Sequence, residues 1–267
     1  MVDAAPVGAI VVDFDGTACT SDVVEVLLEE FGDPSWRTLN DRLADGSIGL
    51  RECTGRQAEL LTGTREEMLA FAMERCPMDP TFAGFVAWAE GRAIPITIVS
   101  DGFGFYIEPI LEHVGLAHLP VISNELEFDP GPKLRHPNGH PLCVGCGTCK
   151  MNAVLRQREV HGPVAFVGDG QSDRYGALYA DMTFAKDDLI DHCVHDGVPF
   201  VPWNDFDQVR HTLEATVAVP GPVAPIQCPG WTIPGGGRGI RTLGRVAPPR
   251  AFQARPFGRS GRPPPRV

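Results

Sequence analysis

Two short acidic runs carry residue types that can do chemistry together: Asp13-Phe14-Asp15-Gly16-Thr17 and Gly168-Asp169-Gly170-Gln171-Ser172-Asp173. Between them in the chain lie Ser100-Asp101-Gly102 and Lys150. Asp13, Asp15, Asp169 and Asp173 brought together would repel one another or take up protons. A hard divalent cation resolves that conflict, and Mg²⁺ prefers carboxylates, water and phosphate oxygens. Lys150 adds a fixed positive charge, and Ser100 with the backbone N–H groups after it can hold phosphate oxygens. These are the parts that phosphoryl transfer requires: an in-line nucleophile, a charge clamp and a proton donor for the leaving oxygen. Asp13 can attack as a carboxylate and form an acyl phosphate. Asp15 can protonate the leaving alcohol and then deprotonate the incoming water. Electrostatic clamping by Mg²⁺ and Lys150 is expected to be the largest catalytic contribution.

Each piece alone is weak. An Asp-x-Asp after a strand is often a solvated turn, and Gly-Asp-Gly often just a turn. The weight lies in their order and in where the elements place them. Residues 8–14, 95–100 and 163–167 are short apolar, β-branched runs that read as buried parallel strands. Each ends at one of the polar runs, and in open parallel sheets ligands bind beyond the C-terminal strand ends. Shorter strands are expected at 121–128, 181–185 and 198–201. Helical periodicity is expected at 82–91, 106–114 and 152–160, with Lys150 just before the last. Strand and helix alternate, which predicts an α/β fold: a Rossmann-like parallel sheet with helices on both faces. From 22 to 76 the period is helical throughout, with helices near 36–43, 51–61 and 65–75 punctuated by glycines. That block reads as a helical cap inserted after the first strand. The expected organisation is therefore a core of residues 1–20 and 78–217, a cap of 21–77, and a tail of 218–267.

The charge is unevenly spread. Net charge is -11, yet residues 229–267 hold eight Arg and no Asp, Glu or Lys, leaving -19 on residues 1–228. So acidic a body argues against nucleic acid as the partner, and a small phosphorylated metabolite fits better. Residues 229–267 also contain eight Pro and eight Gly, lack apolar periodicity, and read as a disordered tail. It is either a basic arm for an acidic partner or an inert extension; GGGRGIRTLGR also has the look of a reading frame running past its stop. No run of 18 apolar residues predicts a membrane span. The N-terminus lacks a basic n-region, so the eight Cys are expected to be reduced thiols of a cytoplasmic protein.

At these residues the chain resembles the haloacid dehalogenase superfamily. DFDGT matches its first motif, Ser100 the second, Lys150 the third and GDGQSD the fourth, over about residues 8–215. The resemblance implies Asp13 as nucleophile, Asp15 as acid/base, and Mg²⁺ held by the Asp13 side chain, the Asp15 backbone carbonyl and Asp169, with Asp173 behind them or linked through water. The cap position resembles the phosphoserine-phosphatase-like branch. DGSIGLREC, VSDGFGFYIEPIL and GTCK are similar to the methionine-salvage 2-hydroxy-3-keto-5-methylthiopentenyl-1-phosphate phosphatases and the phosphoethanolamine/phosphocholine group. Gly16 and Ser100-Asp101-Gly102 depart from the phosphoserine phosphatase pattern, which puts phosphoserine as substrate in doubt.

Substrate contacts are expected from Ser100, Asp101 and Gly102, and from Asp22, Arg51 and Glu52 of the cap; the last three could equally be solvated helix ends. Cys143, Cys146 and Cys149 have a spacing compatible with zinc, with His136 or His140 as a fourth ligand, or form a thiol-rich loop beside Lys150. Cys19, Cys53, Cys76 and Cys193 are expected to be small buried hydrophobes, and His192 and His195 to lie on a solvated helix face. Two other functional classes remain: a phospho-acceptor signalling domain, which also combines Asp, Mg²⁺, Ser/Thr and Lys, and a silent binding protein.

Overall fold

The computed structural model describes residues 6–140, 145–225 and 228. Its centre is β1 (Ala9–Val12), whose four apolar residues are all buried. β2 (Ile96–Phe103) runs parallel to β1 on one side, with Ile10 opposite Ile96. β5 (Val164–Gly168) runs parallel on the other, with Ile10 opposite Ala165. β3 (Val121–Glu127) and the short antiparallel β4 (Lys133–Arg135) extend the sheet beyond β2. β6 (Met182–Ala185) and β7 (Phe200–Pro202) extend it beyond β5. The order is β4-β3-β2-β1-β5-β6-β7, the α/β architecture expected from the alternating pattern.

A strand with both faces buried sends alternate residues into two cores. Ile10 and Val12 join a cluster with Phe82 and Phe85 of α5 (Phe82–Glu90) and Phe206 and Val209 of α10 (Phe206–Ala215). Tyr106 and Ile110 of α6 (Gly104–His113) lie in the same cluster. Ala9 and Val11 join the opposite cluster, with α7 (Lys150–His161), α8 (Arg174–Tyr179) and α9 (Asp187–Asp196) supplying Val154, Leu178 and Leu189.

Four helices lie between β1 and β2: α1 (Val23–Phe31), α2 (Trp36–Ala44), α3 (Leu50–Glu59) and α4 (Arg65–Arg75). α1 begins at Asp22, whose side chain accepts the Glu25 N–H at 2.9 Å, and α4 at a Thr64–Glu67 capping box. Leu27, Leu28, Met68 and Ala72 tie α1 and α4 to the main core, whereas Leu39, Ile48 and Cys53 form a small cluster between α2 and α3. The chain enters this block at residues 19–22 and leaves at 76–79. The two crossings are zipped together: Cys19 pairs with Met78 as an isolated bridge, and the Asp79 N–H donates to Ala18 O at 2.9 Å.

Several expectations need adjusting. β2 runs on to Phe103, so Ser100, Asp101 and Gly102 lie within the strand, where its register against β3 shifts between Val99 and Phe103. Such an irregularity re-aims side chains. Lys150 opens α7 instead of preceding it. β4 falls where no strand was expected, since Leu134 is its one buried residue, opposite Leu126. The expected tail does not leave the body at 218: the Gly221 N–H donates to Asp181 O at 3.0 Å and Tyr179 OH to Pro225 O at 3.1 Å. Residues 226, 227 and 229–267, the rest of that segment, lie outside the described residues. None of the described helices is long and apolar enough to cross a membrane.

Candidate active site

The sheet register brings three polar runs to one rim. Asp13 follows β1 directly, and its N–H donates to Val167 O of β5 at 3.0 Å. The chain then turns through Phe14–Ala18, with Gly16 at φ +70. A Cβ at Gly16 would stand 2.3 Å from Asp169 Oδ2, so a side chain there would push the first loop off the fourth. Thr17 Oγ1 closes the approach by donating to Asp169 Oδ1 at 2.6 Å.

Lys150 sits fully buried at the start of α7. Its Nζ lies 2.7 Å from Asp13 Oδ1 and 2.6 Å from Asp173 Oδ1, and donates to Ser172 Oγ at 2.8 Å. Asp173 Oδ2 accepts the N–H groups of Asp169 and Gly170 at 2.9 and 3.0 Å. Oxygens of Asp13, Asp169 and Asp173 all lie within 4.8 Å of one another. Three carboxylates therefore face one ammonium. Burial works against the Lys150 charge, but Asp13, Asp173 and Asp101 hold its pKa above the usual lysine value. Burial, and then Asp173, push Asp169 up to about 7. Burial and Asp173 likewise raise Asp13, against the pull of Lys150. This excess of buried negative charge and the all-oxygen donor set suit a hard divalent cation.

Asp15 has different surroundings. Ser100 Oγ donates to its Oδ2 at 2.9 Å, and Tyr106 OH to Oδ1 and Oδ2 at 3.0 and 2.9 Å. The Val23 N–H donates to Oδ1 at 3.2 Å. Burial first, and Asp22 second, raise its pKa well above the usual carboxylate value. Gly102 permits the close packing: a Cβ there would lie 2.0 Å from Tyr106 OH and 2.1 Å from Asp15 Oδ2.

Asp101 points toward the loop before α7. Its Oδ1 accepts from Thr148 N–H, and Asn124 Nδ2 donates to its backbone oxygen at 2.6 Å. Its Oδ2 is buried without a partner, and burial raises its pKa. Asp101 thus braces the segment that delivers Lys150.

A cavity of about 340 Å³ lies over this floor, roofed by α1, α2 and α3. That size suits a small metabolite. Asp22, Ser100, Asp101 and Gly102 line it together with Asp13, Asp15 and Asp169. Arg51 and Glu52 are not among its lining residues. Arg51 instead donates through Nε to Cys146 O at 2.7 Å and through Nη2 to His140 O at 3.2 Å. Glu52 pairs with Arg56 at 2.7 Å on the exposed side of α3. A helix position fixes which residues are neighbours but not which face meets the core, so sequence spacing did not separate these two from cavity residues. Tyr106, Thr148, Asn124, Trp36 and Gln57 were not anticipated. A Tyr six residues after Ser100, at a helix start, was the available signal for the first.

Of the thiol-rich loop, Cys143 lies outside the described residues. His136 Nδ1 is engaged with Asn124 Oδ1 at 2.9 Å. Cys19, Cys53, Cys76 and Cys193 are buried, as expected of small apolar side chains.

Comparison with known proteins agrees with this geometry. The chain is 29% identical over 211 residues to the 2-hydroxy-3-keto-5-methylthiopentenyl-1-phosphate phosphatase of Bacillus velezensis, covering 77% of this chain and 89% of that one. The enzyme of the same name from Brevibacillus brevis is 29% identical over 76% of this chain and 93% of its own. Among solved structures, the phosphoserine phosphatase from T. onnurineus superposes with a TM-score of 0.59 at 16% identity, over 80% of this chain and 98% of that chain. A phospho-aspartyl intermediate analogue of phosphoserine phosphatase gives 0.59 at 17% identity, over 77% and 98%. The family model for haloacid dehalogenase-like hydrolases matches residues 10–177, a span that contains Asp13, Ser100, Lys150 and Asp169, and the chain belongs to that family.

Proposed function

We propose that this hydrolase cleaves a small phosphomonoester through a phospho-aspartate on Asp13, with Asp15 as general acid and base. The observation that carries the reading is the contrast between two carboxylates two residues apart. Asp13 lies against the Lys150 ammonium, while the half-buried Asp15 is held by hydroxyl and amide donors with the Asp22 carboxylate nearby. Paired titratable groups with such different surroundings mark out a nucleophile and an acid.

A carboxylate oxygen of Asp13 attacks phosphorus as the ester P–O bond breaks. The Asp15 proton passes to the departing alkoxide, so the alcohol leaves neutral. Water then attacks the acyl phosphate, and the Asp15 carboxylate takes its proton. Inorganic phosphate and the free Asp13 carboxylate result. Lys150 pulls Asp13 towards its ionised form, against burial and Asp173, and attracts the transferring oxygens. Asp13, Asp169 and the Asp15 carbonyl would hold Mg²⁺. When bound, the ion would neutralise the charge on the phosphoryl oxygens. Asp173 has both oxygens engaged and is assigned to fixing Lys150 and the Asp169 loop. The named activity of the relatives, on 2-hydroxy-3-keto-5-methylthiopentenyl-1-phosphate, is consistent with a substrate of this size.

The test is p-nitrophenyl phosphate hydrolysis by the full chain with Mg²⁺ and with EDTA. Turnover is expected only with metal, and Asp13→Asn should abolish it. Hydroxylamine should trap the acyl phosphate on Asp13. Metal-independent turnover, or an active Asp13→Asn variant, would overturn the mechanism. A stable phospho-protein without turnover would point to a signalling acceptor instead.

A further inference from the structure

The four-helix block joins the core through two crossings of the chain, and a cysteine stands on each. Cys19 lies on the entering crossing, just before Asp22, and Cys76 opens the returning one, directly after α4. The crossings are held side by side by the Cys19–Met78 bridge, and Thr20 donates to Pro77 O at 3.0 Å through both its N–H and its Oγ1. Beside this clamp, Cys19 Sγ lies 3.4 Å from Cys76 O and 3.5 Å from Pro77 O. The two thiols also hydrogen-bond one another with Cys19 as donor, which raises the Cys19 pKa and lowers that of Cys76.

A buried cysteine is ordinarily a small apolar side chain. Here two of them, 57 positions apart in the chain, meet where the helical block is joined to the core. Both are free thiols, at 0% and 1% exposure. Their cover is thin, because Thr20, Arg75 and Pro77 beside them in the chain are exposed. Local parting of the crossings would open the pair to a small reagent. The joint also bears on the site. Soon after Cys19, Asp22 lines the cavity and the Val23 N–H donates to Asp15 Oδ1 at 3.2 Å. A covalent link at this point would fix where the block enters and leaves the core, and with it the roof that α1, α2 and α3 place over the cavity.

We propose that Cys19 and Cys76 are a redox modification site: oxidised by a small-molecule disulfide, they form a bond that ties the two crossings together and slows exchange through the cavity. Cys76, as thiolate, attacks one sulfur of the reagent, breaks its S–S bond and expels one small thiolate, leaving a mixed disulfide. Cys19, as thiolate, then attacks the Cys76 sulfur and expels the second. Two protein S–H groups are oxidised, the reagent is reduced to two thiols, and the two protons end on those thiols. The bond stands independently of the phosphatase reading; only its effect on turnover rests on that reading.

The test treats the full chain with cystamine, alkylates the remaining thiols and digests with trypsin in the absence of reductant. Cys19 is the only cysteine of tryptic peptide 1–37, and Cys76 the only one of peptide 76–92. Mass spectrometry should find these two peptides joined, lighter than their sum by two hydrogens. The Tm of the oxidised chain should rise by about 5 °C or more, because the link closes a long loop in the unfolded chain. Hydrolysis of p-nitrophenyl phosphate with Mg²⁺ should fall about fivefold on oxidation and return with dithiothreitol. Cys76→Ala should lose both the joined peptide and the sensitivity to cystamine. The wild-type peptide map needs no variant and stands even if Cys76→Ala misfolds. Cys19 and Cys76 recovered as separate alkylated peptides, or joined to other cysteines, would overturn the proposal. So would unchanged turnover in the cross-linked enzyme, or inhibition that persists in Cys76→Ala. If the untreated enzyme hydrolyses no p-nitrophenyl phosphate, the phosphatase reading fails, while the peptide map and melting curves still decide the bond.

Discussion

Replacing Lys150 by Met tests the charge balance on which the site depends. Nζ lies 2.7 Å from Asp13 and 2.6 Å from Asp173, with both partners and Lys150 itself buried. Methionine retains the length and apolar stem of the side chain but leaves the carboxylates of Asp13, Asp169 and Asp173 without an ammonium. Breaking a buried pair from one side costs about 3–5 kcal/mol. In a chain of this size that corresponds to a fall of roughly 6–20 °C in Tm. The sign with pH follows from the protons. Without the lysine, the folded carboxylates titrate above their unfolded values. The folded form then binds protons that the unfolded form has already lost. Stability therefore declines as pH rises through that window and recovers as pH falls. Melting curves in EDTA at pH 7 and pH 5, read by circular dichroism, should show a large gap between wild type and Lys150→Met at pH 7 and a smaller one at pH 5. A second change, Asp173→Asn, should restore part of the loss at pH 7, because it removes one uncompensated charge. A Tm within 2 °C of wild type at pH 7, or a gap that widens on acidification, would refute the reasoning.

Other consequences follow from neighbouring contacts. Gly102→Ala places a methyl group 2.0 Å from Tyr106 OH and 2.1 Å from Asp15 Oδ2; if Asp15 is the acid proposed above, displacing it should lower kcat about 100-fold or more, with about 1–3 kcal/mol of destabilisation in urea melts. Tyr106→Phe removes a hydroxyl that donates to Asp15 and lowers its pKa; kcat should fall about tenfold, and the alkaline limb of the kcat/KM–pH profile should move to higher pH. A limb that moves down would contradict the assignment of Asp15 as the acid. Arg51→Ala cuts two hydrogen bonds between α3 and the loop before α7; KM should rise severalfold with kcat changed less. His136, held down to about 4 by burial and then by Arg51, should make stability fall as pH drops from about 6.5 towards 4, since the unfolded chain takes the proton first. His136→Gln should flatten that part of a Tm–pH plot.

Much of the site was legible because its residues sit where the chain changes character. Apolar β-branched runs long enough only for a buried strand end at Asp13, near Ser100 and at Asp169, and strand ends on one rim must converge. The four helices after β1 were visible in their spacing, and their limits fell within a residue or two because Asp22 and Thr64 cap them locally. Less was visible where one residue decides the structure. β4 depends on the single buried Leu134, and the extension of β2 through Ser100-Asp101-Gly102 depends on pairing with β3, a partner more than 20 residues away.

The sequence by itself determined the alternating α/β order, the helical block after the first strand, and the acidic, hydroxyl and lysine residue types of the candidate site. Those follow from local periodicity and from carboxylates that need a counter-charge wherever they meet. Only the tertiary structure decided what surrounds each carboxylate and what the helical block presents to the cavity. Asp13 meets Lys150 across 137 positions of chain, and Asp15 meets Tyr106 across 91. Arg51 turns to the loop, while Trp36 and Gln57 reach the cavity wall. These outcomes depend on which face each helix buries and on charges brought together from distant segments. No spacing rule along the chain encodes either one, because the energies that choose them exist only once the elements are packed.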